Sequence, residues 1–259
     1  MLSETKLDWR GDALSKCTQR IDQVFGDSVF SYSSSIQRHE NKRRFHQPGG
    51  TATLFAKKHS NIAVEYGSDE AMGRWSWIQI QPDTRRSIVQ TVAQRKKELE
   101  KGFSAGAQQY SILCRQGRSM HPREAFILDL REQLKQWRKQ GRQIVLAGDF
   151  NEHLGNKDSG IAHIADEFGL VDAYHATRGA ENELESYHRG FQRIDYVLAT
   201  PAVINSIENC GILPFGAVIE SDHRGIYVDF RTDELLGTPC MEASSIQGQT
   251  SFEESTYIN

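Results

Sequence analysis

The sequence predicts an α+β fold in which sheets pack on one another and helices cover the outside. Two observations carry this prediction. Strand-like segments come in groups instead of alternating one by one with helices, so a plain βαβ repeat fits poorly. Few segments have helical spacing. The 259 residues are 38% hydrophobic and 25% charged, which is ordinary globular composition with enough apolar residues for a large core.

The first half of the chain predicts one helix followed by strands. DALSKCTQRIDQVFG spaces its apolar residues as a helix does and ends at Gly26. In RWSWIQIQ, Trp75 and Trp77 fall on one face of a strand, and Ile78 and Ile80 fall on the other. The predicted strands are VFSYSSS, TATLFAKK, NIAVEYG, RWSWIQIQ and SIVQTVAQ.

The second half begins with the least regular region, Arg95–His121. PREAFILDLREQLKQWRKQG then predicts a strong helix, with Pro122 in its first turn and Gly141 after its end. The remaining predicted elements are the strand IVLAGDF, the short helix GIAHIADEFGL, and the strands RIDYVLAT, VINSIENCGIL and RGIYVDF. From Asp233 to Asn259 the sequence is rich in Ser, Thr, Glu and Gly, which predicts a disordered tail or linker.

Composition excludes several classes of function. The net charge of −3 gives no overall attraction for a polyanion, although local patches can still provide it. No run is long and apolar enough for a membrane span, and no signal-peptide pattern opens the sequence. Cys17, Cys114, Cys210 and Cys240 lie far apart, which argues against a zinc knuckle or disulfide framework and suits a reducing intracellular compartment.

Three polar clusters lie at or near the ends of predicted strands. GDFN places Asp149 and Asn151 at the tip of IVLAGDF, and residues i and i+2 of a strand face the same way, so both can converge on one point. RIDYVL places Asp195 in an apolar strand, where a buried carboxylate needs a partner. SDH places Asp222 and His223 just before the last strand.

These residue types suit a site that binds a cation and moves protons. A carboxylate beside a histidine holds the imidazole tautomer and favours its charged form, and carboxylate oxygens suit a hard cation such as Mg²⁺. Each cluster alone also has a structural interpretation: GDFN as an Asx-type turn, Asp195 as an ion pair with Arg193, and SDH as a turn or helix cap. The occurrence of all three in one chain favours a site.

ETK, GDFN, RIDYVL and SDH together resemble the endonuclease/exonuclease/phosphatase superfamily, which has the DNase I-like fold. The resemblance covers nearly all of residues 1–231 and is strongest for exonuclease III-like enzymes and retroelement endonucleases. It implies a four-layer α/β/β/α sandwich over residues 1–232, followed by the tail 233–259. It also implies a metal-dependent endonuclease that acts on DNA inside the cell, in the nucleus of a eukaryote, with a reverse-transcriptase domain downstream in a longer polyprotein.

The resemblance implies a catalytic role for four residues. Asp149 matches the aspartate that handles the attacking water or the leaving oxygen, and Asn151 matches the asparagine that orients the phosphate and the nucleophile. Asp195 matches the aspartate that pairs with the catalytic histidine, here His223. An imidazolium held by a carboxylate can donate to a phosphate oxygen while an aspartate works as general base.

The resemblance also implies a metal site and two departures from the family pattern. Glu4 in SETK and Asp222 match carboxylates that bind the metal, which we expect to be Mg²⁺, with Mn²⁺ as an alternative. The family's first strand, which carries an asparagine, is expected to be missing, because the sequence starts at the glutamate motif. Gln94 stands where the family has a tyrosine and Lys96 where it has a proline, with Tyr110 as an alternative match for the tyrosine.

These departures leave two alternative functions open. The first is a catalytically impaired member of the same fold that binds nucleic acid, and the second is a phosphatase of a small or lipid phosphoester. Two segments could contact a nucleic acid. Residues 42–44 group positive charge, and residues 187–189 lie in a loop that could stack on a base or bind a phosphate. Both segments are also explained as ordinary solvated loops. The candidates are Lys42, Arg43, Arg44, Tyr187, His188 and Arg189.

Overall fold

A computed structural model gives the architecture of the parts of the chain that it describes. These are residues 1–3, 5, 12–26, 28–33, 49–56, 62–69, 72–81, 87–93, 105–156, 158–217 and 220–236. Their strands are β1 (Leu2–Ser3), β2 (Ser28–Ser33), β3 (Thr51–Ala56), β4 (Ala63–Ser68), β5 (Trp75–Ile80), β6 (Ser87–Ala93), β7 (Gln143–Asp149), β8 (Val171–Asp172), β9 (Asp195–Ala199), β10 (Ile207–Ile212) and β11 (Ile226–Phe230). Their α-helices are α1 (Asp12–Phe25), α2 (Ala105–Arg115), α3 (Pro122–Lys139), α4 (Gly160–Phe168), α5 (Ala173–Arg178), α6 (Pro201–Ile204) and α7 (Thr232–Leu236), and Ala180–Asn182 form a 3-10 helix.

A six-stranded sheet forms the centre of the fold, with the strand order β4-β5-β6-β7-β9-β8. Its pairs are antiparallel except β6 and β7, which run parallel. Parallel neighbours need a crossover connection, and α2 and α3 lie between β6 and β7 in the chain. A second sheet has the order β1-β3-β2, and β10 pairs with β11 in a third.

Helices α3 and α4 cover one face of the central sheet. The ring of Trp75 lies 5.8 Å from that of Phe126, and the ring of Trp77 lies 5.6 Å from that of Trp137. Both partners belong to α3, so the two tryptophans share a face, as the sequence predicts. Burial of such large apolar side chains is the main favourable term in folding. The shared core includes Ile88, Leu130, Leu134, Ile144, Leu146, Ile161, Ile164 and Leu198.

The opposite face of the central sheet packs on the two smaller sheets. Hydroxyl groups meet between β3 and the central sheet, where the Thr53 Oγ1 atom lies 2.7 Å from Thr91 Oγ1 and 3.0 Å from Ser76 Oγ. Val145 and Val197 turn their side chains to this face and pack with residues of α6 and β11. Helix α1 contacts β2 on the outside. The layers therefore follow the predicted α/β/β/α order.

Several elements differ from the sequence prediction, and β8, α5 and the 3-10 helix Ala180–Asn182 lie where no element was predicted. Helix α2 lies within the region expected to be least regular, where its small and polar residues give a weak apolar stripe. VINSIENCGIL, expected to be one strand, forms the end of α6 and then β10, because Pro201 fits the first turn of a helix and starts one. Strand β9 begins at Asp195, so Arg193 precedes the strand.

The two ends of the described chain add short elements. Strand β1 pairs with β3 at Leu2 and Ser3 and comes from the segment just before the glutamate motif. Helix α7 begins at Thr232 and includes the first residues of the predicted tail; residues 237–259 lie outside the described residues.

No helix within the described ranges combines the length and the hydropathy needed to cross a membrane. The cysteines that the structure describes, Cys17, Cys114 and Cys210, are free thiols.

Gly148 allows β1, β6 and β7 to meet closely at the end of the central sheet. Its φ is +141°, and a Cβ at this position would lie 2.0 Å from the Val92 carbonyl oxygen and 2.8 Å from Ser3 Oγ. The Ser3 hydroxyl donates to that same carbonyl at 2.8 Å. The glycine before Asp149 in GDFN is therefore required by the packing of three strand ends, independently of any chemistry.

We expect Gly148→Ala to lower the free energy of unfolding by about 3 kcal/mol, because the methyl group would overlap backbone atoms that cannot move independently. Gly169→Ala is the matched control, since Gly169 also has positive φ, +62°, but open space around the added Cβ. It should cost only about 1–2 kcal/mol. Urea unfolding measures both variants, and equal losses would contradict the packing explanation.

Candidate active site

Asp149 and Asn151 converge at the end of β7 through a turn. Asp149 is the last residue of β7 and is buried, with 2% of its surface exposed. The backbone N–H of Asn151 donates to Asp149 Oδ1 at 2.8 Å, and the Asn151 side-chain amide donates to Oδ2 at 2.6 Å. Asn151 has a φ of +49°, in the left-handed region that asparagine tolerates better than most residues.

The side chains of Asp149 and Asn151 converge as predicted, but the predicted cause, alternation along a strand, is wrong. Alternation along a strand does not bring the two side chains together, because the strand ends at Asp149 and the backbone reverses at Asn151. The Asx-turn interpretation and the site interpretation of GDFN describe the same arrangement. The turn fixes the carboxamide against the carboxylate, so the pair is held before any substrate arrives.

A buried ionic network holds the chain just after Asn151. The Glu152 carboxylate accepts from Arg123 Nε at 2.6 Å, from Ser159 Oγ at 2.5 Å and from the backbone N–H of Ile161 at 2.9 Å. Burial raises the pKa of Glu152, but these donors and the Arg123 charge outweigh it and hold the pKa below its ordinary value. The start of α3 and the start of α4 are thereby tied to the site loop.

Tyr196 fixes the same loop from the neighbouring strand. Its hydroxyl donates to the Arg193 carbonyl at 2.5 Å and accepts the backbone N–H of Leu154 at 3.2 Å. The backbone N–H of Phe150 donates to the Ile194 carbonyl at 2.9 Å. The segment after β7 is therefore bound to the segment before β9.

Asp195 and His223 form a hydrogen-bonded pair beside Asp149. Asp195 is the first residue of β9 and lies directly opposite Asp149 in the antiparallel register of β7 and β9. Its Oδ2 atom is 2.9 Å from His223 Nδ1. His223 is held by a β-bridge to Tyr187, whose ring lies 4.9 Å from the imidazole. Strand pairing thus brings GDFN and RIDYVL together, and a bridge adds SDH.

The environment of His223 favours the charged imidazolium. Burial alone lowers its pKa, but the hydrogen bond and charge of Asp195, followed by the charges of Asp149 and Asp222, outweigh this and raise the pKa to about 9. The ring is therefore a proton donor at neutral pH, with Nδ1–H directed at Asp195.

Asp195 does not pair with its sequence neighbour Arg193. The Arg193 guanidinium is fully buried and binds Asp172 through two hydrogen bonds. It also lies over the rings of Tyr174, at 5.0 Å, and Tyr196, at 4.5 Å. Arg193 and Asp195 thus serve different partners, which removes the ion-pair interpretation of RIDYVL.

The three groups form a possible metal site among the described residues. Asp149, Asp195 and His223 each offer one ligand atom, and these atoms lie within 4.8 Å of one another. The carboxylate oxygens fit a hard cation, whereas the His223 imidazole holds a proton and a hydrogen bond to Asp195. The donor set therefore suits an oxygen-bound divalent ion better than a nitrogen-bound one.

Glu4 and Asp222, the two residues expected to bind the metal, are not among the three residues of this cluster. Asp222 has an exposed side chain outside this cluster, and its backbone carbonyl accepts the His188 N–H at 2.8 Å. Glu4 lies outside the described residues. The residue before it, Ser3, reaches the site end of the sheet, where its hydroxyl accepts the Asp149 N–H at 3.4 Å.

The predicted nucleic-acid loop borders the site. Tyr187 contacts His223 as described, the His188 ring lies 5.2 Å from the Phe215 ring, and Arg189 is exposed. The Arg224 guanidinium lies 4.1 Å above Phe215. Lys42, Arg43, Arg44 and Gln94 lie outside the described residues, and Tyr110 is on α2 with 40% of its surface exposed.

Sequence reasoning missed the residues that support the site. Ser186, Tyr196 and Glu152 contact or brace the predicted catalytic residues, yet none belongs to a spacing pattern that would have identified its partner. Glu152 directly follows GDFN and Tyr196 directly follows Asp195 within RIDYVL, so adjacency to the motifs was the available signal for both. Ser186 precedes Tyr187 in a polar loop, where a serine suggests only a turn.

Comparison with known proteins identifies the fold. No protein-family model and no curated protein sequence matches the chain. Among solved structures, a Neisseria 3′ phosphatase bound to a product DNA hairpin shares 16% identity at a TM-score of 0.56, covering 88% of this chain and 87% of that one. An AP endonuclease from Leishmania major shares 15% identity at a TM-score of 0.59, covering 88% and 76%. An AP endonuclease from Archaeoglobus fulgidus shares 17% identity at a TM-score of 0.54, covering 88% and 87%.

At these identities the likeness establishes the fold. The chain has the DNase I-like fold of these solved structures, which confirms the predicted four-layer α/β/β/α architecture. Fold alone does not assign an activity, because one fold hosts many functions. The activity has to be argued from the residues at the end of β7 and β9.

Proposed function

We propose that the chain is a metal-dependent phosphodiester hydrolase that acts as an endonuclease on DNA. The observation that carries the proposal is the meeting of three motifs distant in sequence. Asp149, Asn151, Asp195 and His223 come together at the adjoining ends of β7 and β9, and each is held by a specific contact. A turn or an ion pair alone would not require the three motifs to meet.

The proposed chemistry assigns one task to each side chain. The Asp149 carboxylate takes a proton from the attacking water, whose oxygen bonds to phosphorus as the bond to the leaving oxygen breaks. The leaving oxygen keeps the electron pair of that bond and takes up a proton from solvent. Asn151 orients the phosphate and the nucleophile. The His223 imidazolium donates a hydrogen bond to a phosphate oxygen on which charge develops, and Asp195 keeps that ring oriented and charged.

A divalent cation, Mg²⁺ or Mn²⁺, would neutralise the phosphate charge and stabilise the developing oxyanion. Asp149 offers its carboxylate to such an ion within the described cluster. Glu4 and Asp222 are the further carboxylates that the family resemblance proposes for it.

Two observations support DNA as the substrate, and one sequence-based expectation adds to them. The structural neighbours include AP endonucleases and a phosphatase bound to a DNA hairpin. The loop that carries Tyr187, His188 and Arg189 lies against His223 and offers aromatic and basic groups beside the site. Lys42, Arg43 and Arg44 would add backbone contacts. Association with a retroelement and with a reverse-transcriptase domain stays a prediction from the sequence resemblance.

A substrate panel tests the proposal. The protein should be incubated with Mg²⁺ and, in parallel, with supercoiled plasmid, with a duplex oligonucleotide carrying an abasic site, and with inositol phosphates. We expect nicking of one or both DNA substrates and no release of inorganic phosphate from inositol phosphates. Phosphate release without DNA cleavage would instead support the phosphatase alternative, and DNA retention without turnover would support the impaired binding member.

Phe191 provides a test of nucleic-acid recognition. Its side chain is fully exposed, and it follows a turn in which the Gly190 N–H donates to the Tyr187 carbonyl at 3.0 Å. We expect Phe191→Ala to lower kcat/KM for an oligonucleotide by about 10-fold, since base–aromatic stacking contributes about 1–3 kcal/mol. Hydrolysis of bis(p-nitrophenyl) phosphate, which has no nucleobase, should be unchanged.

Tyr66→Ala is the matched control for Phe191→Ala, because Tyr66 is another exposed aromatic, with 63% of its surface exposed, and lies on the edge strand β4. It should leave both rates at the wild-type value. An equal loss on both substrates in Phe191→Ala would indicate damage to the site, and no loss on either would remove Phe191 from recognition.

A further inference from the structure

Ser186 is a fully buried residue whose hydroxyl makes three hydrogen bonds at the catalytic pair. Its Oγ accepts the backbone N–H of Ile194 at 2.9 Å and that of Asp195 at 3.1 Å. The same Oγ lies 2.7 Å from Asp195 Oδ2. The serine therefore contacts both the backbone and the carboxylate of Asp195.

The two N–H donors determine which way the Ser186 hydroxyl proton points. A hydroxyl has two acceptor lone pairs and one proton to donate. The N–H groups of Ile194 and Asp195 occupy the acceptor side, so the proton is left for Asp195 Oδ2. The direction of this hydrogen bond is thus set by the fold, and its acceptor is the carboxylate.

The oxygen that Ser186 contacts is the one that binds the histidine. Asp195 Oδ2 lies 2.7 Å from Ser186 Oγ and 2.9 Å from His223 Nδ1. One carboxylate oxygen is therefore held between two donors on different segments of the chain. Rotation of the carboxylate would break both contacts together, so the serine opposes that rotation.

The backbone of Ser186 holds the other partner of the pair. Its carbonyl accepts the N–H of Arg224 at 2.8 Å, and the next residue, Tyr187, forms the β-bridge to His223. The side chain of Ser186 thus acts on Asp195, and its main chain acts on the segment that carries His223. Ser186 therefore contacts the segments that carry both groups of the pair.

We propose that Ser186 is a positioning residue, which fixes the Asp195 carboxylate so that Oδ2 stays aligned with Nδ1 of His223. The inference rests on the proposed function, because an aligned pair matters for turnover only if His223 acts on a phosphoester. It extends that function to a residue outside the sequence motifs.

The test compares Ser186→Ala with Ser206→Ala. Ser206 is a buried serine whose hydroxyl donates to the Val203 carbonyl at 2.7 Å, after α6 and outside the catalytic cluster, so it controls for loss of a buried hydroxyl. The first readout is the downfield ¹H NMR signal of the His223 Nδ1–H, recorded without substrate or metal. The second readout is kcat and KM, determined individually, for the hydrolysis of bis(p-nitrophenyl) phosphate with Mg²⁺.

We expect Ser186→Ala to shift the Nδ1–H signal upfield or broaden it by exchange, and to lower kcat by about 10- to 100-fold with KM near the wild-type value. Ser206→Ala should retain the wild-type signal and kcat. Ser186→Cys, which keeps the shape with a weak donor, should behave like Ser186→Ala and replaces it if the alanine variant does not fold.

A wild-type Nδ1–H signal in the substituted protein would overturn the positioning role. The NMR readout needs no turnover, so it separates the two proposals. If the wild-type protein cleaves no phosphodiester, the proposed function fails, while the signal in Ser186→Ala still decides whether the serine holds the pair.

Discussion

Replacing Asp149 by asparagine should nearly abolish phosphodiester cleavage, with kcat lower by about 10²- to 10⁴-fold. The carboxylate is the group placed to take a proton from water, and an amide cannot do so. Asparagine keeps an acceptor for the Asn151 backbone N–H that now binds Asp149 Oδ1, and a flip of the Asn151 amide, which now donates to Oδ2, lets its oxygen accept from the new NH2 group. The turn at the end of β7 should therefore survive, and the variant should fold and bind DNA. Initial rates of plasmid nicking measure the loss.

Asp166→Asn is the control for this experiment. It makes the same substitution at an exposed carboxylate of α4, so it removes one negative charge without touching the site. We expect its nicking rate to equal that of the wild type. A wild-type rate in Asp149→Asn would mean that the convergence at β7 and β9 does not perform the cleavage.

Asp195→Asn should have the second-largest effect, because it removes the charge that keeps His223 protonated. The pKa of His223 is raised to about 9 against the opposing effect of burial, chiefly by Asp195. With a neutral partner, burial should dominate and the pKa should fall toward or below its ordinary value of 6.5. Activity that needs the imidazolium should then be lost at lower pH, and kcat at pH 7.5 should fall by about 10²-fold or more.

The pH profile gives the sign of this effect. In the wild type the rate should decrease on the alkaline side as pH rises through about 9, and in Asp195→Asn the decrease should move to about 6.5 or lower. Stability follows the same direction, because a raised folded-state pKa stabilises the protein fully below the unfolded pKa. That contribution is lost as pH rises through about 9.

NMR titration of the His223 ring and the rate profile check the prediction together. Asp229→Asn, at an exposed carboxylate of β11, controls for the change in net charge and should leave the alkaline decrease near its wild-type position. An unmoved decrease in Asp195→Asn would show that the imidazolium of His223 is not the group that limits the rate at high pH.

Sequence could predict that these residues lie close together, because they belong to motifs at or near strand ends. The apolar residues of IVLAGDF and RIDYVL predict buried strands. The polar residues at the ends of these strands are therefore unusual and indicate a possible site. The family resemblance supplied the remaining link, that GDFN, RIDYVL and SDH belong to one centre. The structure brings Asp149, Asn151, Asp195 and His223 together as those motifs require.

Sequence could not predict how the site is held. Strand alternation gave the wrong reason for the pairing of Asp149 and Asn151, because the positive φ of Asn151 depends on the loop that Glu152 and Tyr196 fix. The role of Ser186 depends on the Tyr187–His223 bridge, a contact between loops with no periodic signal. Tertiary contacts of this kind carry no local pattern.

The same limit applies to the fold. The tryptophan face of β5 was predictable because period-2 alternation is local, and α3 was predictable because Pro122 lies in its first turn and Gly141 follows its end. Helix α2 was not, since its buried residues include Gln108 and Gln109, so its buried face does not read as apolar. The nature of its surroundings, not its intrinsic pattern, decides that this segment is helical.

The proposed function requires Asp149 and its neighbours at the ends of β7 and β9 to cleave phosphodiesters with a divalent cation. The most direct measurement is the initial rate of supercoiled plasmid nicking by the wild-type protein and by Asp149→Asn, titrated with Mg²⁺ and repeated with EDTA. We expect a rate that rises to saturation with Mg²⁺ in the wild type, vanishes with EDTA, and is nearly absent throughout in Asp149→Asn. Nicking that persists in EDTA, or that is equal in the two proteins, would contradict the claim.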